Sequence, residues 1–170
     1  CKGLTEVILP EGITSIDEYA FYSCSALSEI AIPSTVKSYG TYAFYLCSSL
    51  LSITLPDGAN SIPNYLFHNC YNLKEVDLPN SIKYIGTYAF SSTDIRNIEL
   101  PNGLEEIDGY AFQSCDLESV VIPNSVTKIG SYAFSYCGEL VEATLSNNIK
   151  NISTGIFSNC SKLMTVNLSD

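Results

Sequence analysis

Apolar residues recur every 22 or 23 positions along the whole chain, and the same order of side chains returns each time. The unit reads L-x-x-I-x-L-P-x-x-I-x-x-I-x-x-Y-A-F-x-x-C-x-x and is clearest between Leu27 and Cys47. Successive units begin at Leu4, Leu27, Leu50, Leu73, Ile95, Leu117, Leu140 and Leu163. A pattern with this period predicts a solenoid, in which each unit buries its apolar face against the next.

The first six positions of each unit alternate between inward and outward side chains, which predicts a short β-strand. In the second unit, Ile30 and Ile32 are expected to point into the core, whereas Glu29 and Ala31 point outward. The proline that follows in most units, such as Pro33, has no N–H for a hydrogen-bond ladder and should end the strand. Stacked units are therefore expected to form one long parallel sheet.

The remainder of the unit predicts the opposite wall of the solenoid. Apolar residues three positions apart, as at Ile82 and Ile85, suit a short second strand or an extended segment. The Tyr-Ala-Phe-x-x-Cys stretch fits a single helical or 3₁₀ turn. We therefore expect little true helix.

The repeat runs without an independent domain boundary or linker, which predicts that residues 1–170 are a single array of about seven repeats of 22–23 residues with partial ends. The units from Leu73 and Ile95 are each one residue short, just after the Cys column. Cys1 occupies the last column of a missing unit, and Asp170 ends the chain inside another. We expect a fragment of a longer array, with caps or further repeats outside it. The alternative for Cys1 is the lipid-bearing first residue of a mature lipoprotein.

Composition narrows the classes of partner. The chain is 46% hydrophobic, only 15% charged, and carries a net charge of −10. This negative charge argues against binding to nucleic acid. No run approaches the ~20 apolar residues that a bilayer-spanning helix needs, so no membrane span is expected in this segment.

The repeat resembles that of BspA-like leucine-rich repeat proteins, which share L-x-x-I-x-L-P, I-G-x-x-A-F and a Cys three residues after the Phe. The stretches 85–90 and 129–137 follow that pattern column by column, whereas Thr93 replaces a Cys and Gly155-Ile156 replaces the usual Tyr-Ala. The resemblance covers essentially the whole chain. It implies an α/β-type leucine-rich repeat solenoid that is mostly β, with a concave parallel sheet, short second strands, and 3₁₀ or helical turns on the other wall. It also implies adhesion or recognition by a cell-surface or secreted protein, with a protein ligand in the extracellular matrix or on a host cell.

Seven cysteines stand in one column of the repeat, at Cys1, Cys24, Cys47, Cys70, Cys115, Cys137 and Cys160. The odd count and the absence of C-x-x-C disfavour a disulfide framework or a zinc site. Stacked equivalent residues lie about 4.8 Å apart with parallel side chains, whereas a disulfide needs Cβ atoms about 3.8 Å apart that face each other. We predict buried free thiols, with the Thr93 hydroxyl bonded to a local acceptor. No cofactor is predicted.

A second column consists of tyrosines, at Tyr19, Tyr42, Tyr65, Tyr88, Tyr110 and Tyr132. Such a stripe could bind a sugar or a protein, but packing between neighbouring rings also explains it. The single histidine, His68, has no catalytic partner at a motif spacing and is predicted to be exposed.

The concave sheet is the default binding surface of a solenoid. Its third strand position holds Glu6, Glu29, Ser52, Glu75, Asn97, Ser119, Glu142 and Thr165, and its fifth holds Ile8, Ala31, Thr54, Asp77, Glu99, Val121, Thr144 and Asn167. Like charges side by side, as at Asp77 and Glu99, destabilise a sheet, which favours a basic partner or a bound cation. The alternative is a solvated acidic face that the nearby Lys74 and Arg96 offset. We expect Glu29, Glu75, Asp77, Arg96 and Glu99 to contact a protein ligand with a basic patch.

Other functions fit the sequence less well. A calcium site lacks a D-x-D-x-D-G loop, and carboxylates on a flat sheet seldom converge on one ion. An enzyme is not predicted, because the chain has no nucleophile and base at a sensible spacing and no glycine-rich phosphate loop. A structural spacer that holds a distal domain away from the cell surface stays open beside the adhesion module.

Overall fold

The computed structural model describes residues 1–169 as a stack of coils, one coil for each sequence repeat. Because each repeat has only two short runs of alternating or apolar residues, the strands are two to four residues long. In the described part of the chain they are β1 (Ser15–Ile16), β2 (Ser38–Tyr39), β3 (Ser52–Thr54), β4 (Ser61–Ile62), β5 (Glu75–Asp77), β6 (Tyr84–Ile85), β7 (Glu106–Ile107), β8 (Ser119–Val121), β9 (Lys128–Ile129), β10 (Glu142–Leu145) and β11 (Thr165–Leu168).

All strand pairs are parallel and join equivalent positions of different repeats. The concave face carries the pair β3–β5 and the three-stranded sheet β8–β10–β11, and the second strip carries β1–β2 and β4–β6–β7–β9. Glu75 thus lies beside Ser52, and Glu142 lies between Ser119 and Thr165. The predicted solenoid with a parallel concave sheet and short second strands is confirmed.

The prediction of one continuous concave sheet is wrong. Residues 6–8, 29–31 and 97–99 occupy the strand positions of their repeats but are not strands. The interruption at 97–99 lies inside the second shortened repeat, between the loops at Asp94 and Asp116, and separates β5 from β8. Ile98 is only partly buried there, whereas its counterparts Val76 and Val120 are buried.

The core is a set of stacked columns. Phenylalanine forms the largest, and Phe44, Phe67, Phe90, Phe112 and Phe134 have no exposed surface. Each ring stacks on the next; Phe21 and Phe44, for example, have centroids 5.3 Å apart and an interplanar angle of 11°. The leucines and isoleucines of the strand and turn positions surround these rings, so that one apolar cluster runs through the coils.

The wall opposite the sheet consists of successive turns and contains no helix within residues 1–169. The N–H groups of Ala20 and Tyr22 donate to carbonyls three residues earlier, as in the predicted 3₁₀ turn. Those of Tyr19, Phe21 and Ser23 donate instead to the next coil. A 3₁₀ helix would direct all of these groups along its own segment, whereas the alternation satisfies both the turn and the contact between coils. No described helix is long and apolar enough to cross a bilayer.

The tyrosine column has an unusual backbone conformation. Tyr42 and Tyr88 have φ angles of 62° and 56°, in the left-handed region that favours glycine. A residue other than glycine is destabilised by roughly 1–2 kcal/mol in this conformation, and stacking between the tyrosine rings offsets this cost. Tyr88 and Tyr110 lie face to face with centroids 4.6 Å apart. Gly155 takes the tyrosine position of its repeat with a φ of 60°, and the ring of Tyr132 packs over it.

The cysteines are free thiols, as predicted, and those at positions 24, 47, 70, 115 and 137 are buried. Cys1 is exposed and Cys160 is partly buried. Thr93 fills its place in the column by donating from its hydroxyl to the Phe90 carbonyl at 2.9 Å, which is the local acceptor that was expected.

Candidate functional site

The predicted binding residues lie on the concave face, where strand alternation turns them outward. Glu75 and Asp77 are the exposed ends of β5 and flank the buried Val76. The register places Asp77 beside Thr54 of β3, and the Thr54 hydroxyl donates to Asp77 Oδ2 at 3.0 Å. Arg96 and Glu99 are exposed on the interrupted segment.

The predicted binding residues lie in two separate depressions of the concave face. Glu75, Asp77, Arg96 and Glu99 line the first, which we call the central groove and which encloses about 880 Å³. Asn97, Asn102, Ser119 and Val121 also line it. Glu29 lies apart from these four, in a second depression that Glu6 and Ile8 also line. The structure therefore brings together four of the five predicted residues.

The two cations beside the groove form ion pairs with acids other than those predicted. Lys74 Nζ lies 3.4 Å from Asp94 Oδ2, and Arg96 Nη1 lies 3.5 Å from Glu118 Oε1. Lys74 and Arg96 line the same groove as Asp77 and Glu99, but their ion pairs are with Asp94 and Glu118. Both side chains of the Arg96–Glu118 pair are exposed, and exposed pairs contribute on the order of 0–1 kcal/mol to stability, whereas Asp94 in the other pair is partly buried.

Glu75, Asp77 and Glu99 have no ion-pair partner in residues 1–169. Their carboxylates stand at the third and fifth positions of neighbouring repeats, around the same groove. The concave face thus carries three carboxylates without an ion-pair partner in the described chain, and Lys74 and Arg96 line the same groove.

Sequence reasoning missed Asp94 and Asp116, which lie in the two shortened loops. Burial raises the pKa of the Asp116 carboxyl, and a hydrogen bond and like charge from Asp94 raise it further, while Arg96 opposes this. The signal that could have revealed this pair was the coincidence of both aspartates with the two deletions in the repeat. Of this pair of aspartates, Asp94 is the ion-pair partner of Lys74, whereas Arg96 pairs with Glu118.

The backbone of the central groove differs from that of the neighbouring sheet. Within residues 1–169, the backbone of segment 97–99 forms no hydrogen bond with either adjacent repeat. Just before this segment the contact between coils is intact, because Glu118 N donates to Arg96 O at 3.0 Å. Toward the following repeat the gap therefore begins after Arg96, whereas toward the preceding repeat Arg96 N already forms no backbone hydrogen bond within the described residues.

His68 is partly buried, contrary to the predicted exposure. It lies among the rings of Tyr45, Tyr65 and Tyr88, with centroids 5.3 to 5.7 Å away, and its Nδ1 lies 3.0 Å from the Ser91 carbonyl. Burial lowers the pKa of His68, and the contact with Ser91 opposes this. The aromatic neighbours fill the space around the ring, so its role is packing.

The tyrosine column also favours packing over ligand binding. Its rings stack face to face, as in the pair Tyr42–Tyr65 with centroids 4.7 Å apart. A sugar ring stacks on an aromatic face, and within the column those faces are already covered. In the part of the chain that the structure covers, no group of three or more His, Cys, Asp or Glu side chains is arranged to hold a metal ion.

Comparisons with known proteins identify the repeat. The sequence profile described as BspA type leucine rich repeat region matches residues 1–117 and 60–170, in six copies. A leucine-rich repeat protein from Bacteroides ovatus is 31% identical with a TM-score of 0.66, and the match covers 95% of this chain and 38% of that protein. The leucine-rich repeat protein of T. pallidum is 33% identical with a TM-score of 0.64, over 95% of this chain and 68% of that one.

A more distant structure has the same fold. A protein from Faecalibacterium prausnitzii described as a leucine rich cell surface protein is 19% identical with a TM-score of 0.63. That match covers 100% of this chain and 74% of the other. No curated protein matches the chain significantly. The match with the B. ovatus protein covers only 38% of that protein, so the chain spans well under half of its length.

Proposed function

Because the chain belongs to the BspA-type leucine-rich repeat family, whose repeats serve as interaction or structural modules, we propose that it binds a protein ligand through its concave face. The ligand carries a basic patch that contacts Glu75, Asp77 and Glu99. Arg96 borders the contact, and Glu29 extends it toward the second depression.

One observation carries this proposal: the acids of the central groove lack cationic partners in the described chain, while the two adjacent cations pair elsewhere. A face of this kind attracts a basic surface at long range and accelerates its association. Glu75 and Asp77 lie on β5, so the spacing of these two carboxylates is set before the ligand arrives. Preorganised groups lose little conformational entropy on binding.

We propose that the module is located at the cell surface or is secreted. The related structure from F. prausnitzii is described as a cell surface protein, and this supports the location. The ligand then belongs to the extracellular matrix or to a host cell surface, and the module acts in adhesion. Binding, and not catalysis, is the proposed activity.

The test is a binding measurement with reversed charges. The array is immobilised and passed over a panel of matrix and cell-surface proteins at about 50 and about 300 mM salt, a range over which exposed charges become screened. The double variant Asp77→Lys/Glu99→Lys should lose most of the affinity and most of its dependence on salt. Asp17→Lys/Glu18→Lys is the matched control, since both of these acids are exposed and lie outside the groove. Equal losses in the two variants, or none in either, would exclude the concave acids as the binding site.

A structural spacer is the second candidate function. The continuous columns of stacked Phe and Tyr rings favour it, because they join each coil to the next and resist bending. If the chain is a spacer, reversing the charges of the concave acids leaves its binding to other proteins unchanged. The same charge-reversal experiment therefore separates the two candidates.

A further inference from the structure

The gap in the concave sheet lies in the central groove. β3 and β5 form a regular pair on one side of the gap, and β8, β10 and β11 form a regular sheet on the other. Between them, the N–H and C=O groups of residues 97–99 have no backbone partner in either adjacent coil of the described structure. Asn97 and Glu99 are exposed, Ile98 is partly buried, and all three residues line the central groove.

Unpaired main-chain groups in an extended segment are the usual means by which a protein captures a peptide. An extended peptide satisfies such groups with its own backbone, and its side chains then supply the specificity. A rigid folded surface cannot enter a groove between two coils in this way. The gap therefore favours a flexible, extended partner over a preformed basic patch.

The carboxylates define which side chains such a peptide carries. Glu75 and Asp77 are two residues apart on β5, so both face the groove with a separation of about 7 Å. An extended peptide running along β5 repeats its side chains at the same interval. Basic residues at alternate positions of the peptide would then meet Glu75 and Asp77 in register, with Glu99 at the position equivalent to Asp77 in the next repeat.

We propose that the central groove binds an extended peptide segment with alternating basic residues, whose main chain bonds to the backbone of residues 97–99. This inference rests on the proposed function and names the form of its ligand. The lysine or arginine side chains of the segment bind Glu75, Asp77 and Glu99. Lys74 and Arg96 also line the groove, and each is ion-paired there, with Asp94 and Glu118 respectively.

The probe is a fluorescein-labelled decapeptide of alternating Lys and Thr, and its binding to the array is followed by fluorescence anisotropy. A second decapeptide has the same sequence with N-methyl groups on alternate peptide nitrogens, which removes hydrogen-bond donors and keeps every charge. A third, of alternating Glu and Thr, reverses the charge. The unmodified basic peptide should bind at least about tenfold more tightly than the N-methylated one, the effect expected for losing one or two main-chain hydrogen bonds. The acidic peptide should not bind.

Variants locate the site. Glu75→Gln/Asp77→Asn/Glu99→Gln should weaken binding of the unmodified peptide at least about tenfold, because it removes three charged acceptors. Asp17→Asn/Glu18→Gln/Glu105→Gln removes the same charge from residues that do not line the groove, and it should leave the affinity within about twofold.

The outcomes separate this inference from the proposed function. Equal binding of the two basic peptides, still abolished in the groove variant, overturns the main-chain inference and keeps the basic ligand. If the basic peptide binds the groove variant as tightly as the parent protein, the inference is overturned. Whether the groove binds protein ligands is then decided by the charge-reversal experiment. Loss of a protein ligand on charge reversal, with no binding of any peptide, shows a folded basic surface as the partner.

Discussion

The Sγ atom of Cys47 lies 3.1 Å from the carbonyl oxygen of Phe21 in the preceding repeat, and the thiol donates a hydrogen bond to it. The same bond joins Cys70 to Phe44 at 3.1 Å, and the thiols at positions 115, 137 and 160 bond in the same way to Phe90, Phe112 and Phe134. The column therefore links successive coils through its protonated thiols. Each of these thiols is therefore satisfied by a carbonyl of the preceding repeat without forming a disulfide.

Thiol reactivity should follow this burial. At pH 8, a small excess of iodoacetamide should modify Cys1 first and Cys160 second, because Cys1 is exposed and Cys160 is partly buried. Interaction with the neighbouring Cys137 side chain also lowers the pKa of Cys160. The five buried cysteines should react only after unfolding in guanidinium, as read by peptide mass spectrometry. Fast labelling of Cys47 or Cys70 in the native protein would contradict the stacked column.

Alkaline pH should destabilise the fold through the same thiols. Burial raises the pKa of Cys47 from 9.0 to about 12, and burial likewise raises that of Cys115 to about 12. Since the folded-state pKa is higher, the stabilisation is complete below pH 9 and is lost as the pH rises toward 12. Each such thiol should lower the free energy of unfolding by about 1.4 kcal/mol per pH unit within this window. Urea unfolding at pH 8, 9 and 10 measures the slope. Cys47→Ala should show a shallower slope than the parent protein, and an unchanged slope would exclude the thiol as its source.

The columns of the solenoid could be read from the sequence because a repeat superposes equivalent residues, and one side chain then predicts its neighbours in the adjacent coils. Phe21 and Phe44 were predictable as stacked rings for this reason. The acidic concave face was predictable as well, since strand alternation decides which residues point outward.

The gap at 97–99 was not predictable, because backbone pairing depends on the path of the chain through the shortened loops and not on residue type. The partners of Lys74 and Arg96 were hidden for a similar reason. Each long side chain can reach several acids, and the period does not decide among Asp77, Asp94 and Glu99. His68 appeared exposed only because its column varies, whereas in the structure the flanking tyrosines cover it.

Two buried serines of one column should respond oppositely to removal of the hydroxyl. Ser91 is buried and its hydroxyl has no hydrogen-bond partner within the described residues, whereas the buried Ser135 donates to the Tyr132 carbonyl at 2.9 Å. Ser91→Ala should stabilise the protein by about 1 kcal/mol, since an unsatisfied buried hydroxyl is unfavourable. Ser135→Ala should destabilise it by about 1 kcal/mol. Chemical denaturation of both variants provides the check, and effects of the same sign would refute the explanation.

Glycine should be required where one coil passes closest to the next. A Cβ atom added at Gly40 would lie 2.2 Å from the backbone nitrogen of Glu18, and that backbone cannot move without breaking the contact between coils. Gly40→Ala should therefore destabilise the protein by roughly 3 kcal/mol or more, in the range of other overpacked core sites. Gly138→Ala is the control, because its nearest neighbour would be the Ser161 hydroxyl oxygen at 3.9 Å. A stable Gly40→Ala variant would mean that the coils are spaced more widely than described.

The left-handed backbone of the tyrosine column predicts an unusual order of stability among variants at Tyr88. Both Tyr88→Ala and Tyr88→Gly lose the ring contacts to Tyr65 and Tyr110, with centroids 5.0 and 4.6 Å away, so both should be less stable than the parent. Alanine keeps a side chain at a φ of 56°, whereas glycine adopts this conformation freely. Tyr88→Gly should therefore exceed Tyr88→Ala in free energy of unfolding by about 1 kcal/mol. At the next residue, which has no such conformation, Ala89→Gly should instead destabilise the protein by about 1 kcal/mol. Urea denaturation of the three variants decides the matter: alanine more stable than glycine at position 88 would show that the backbone there is not left-handed in solution.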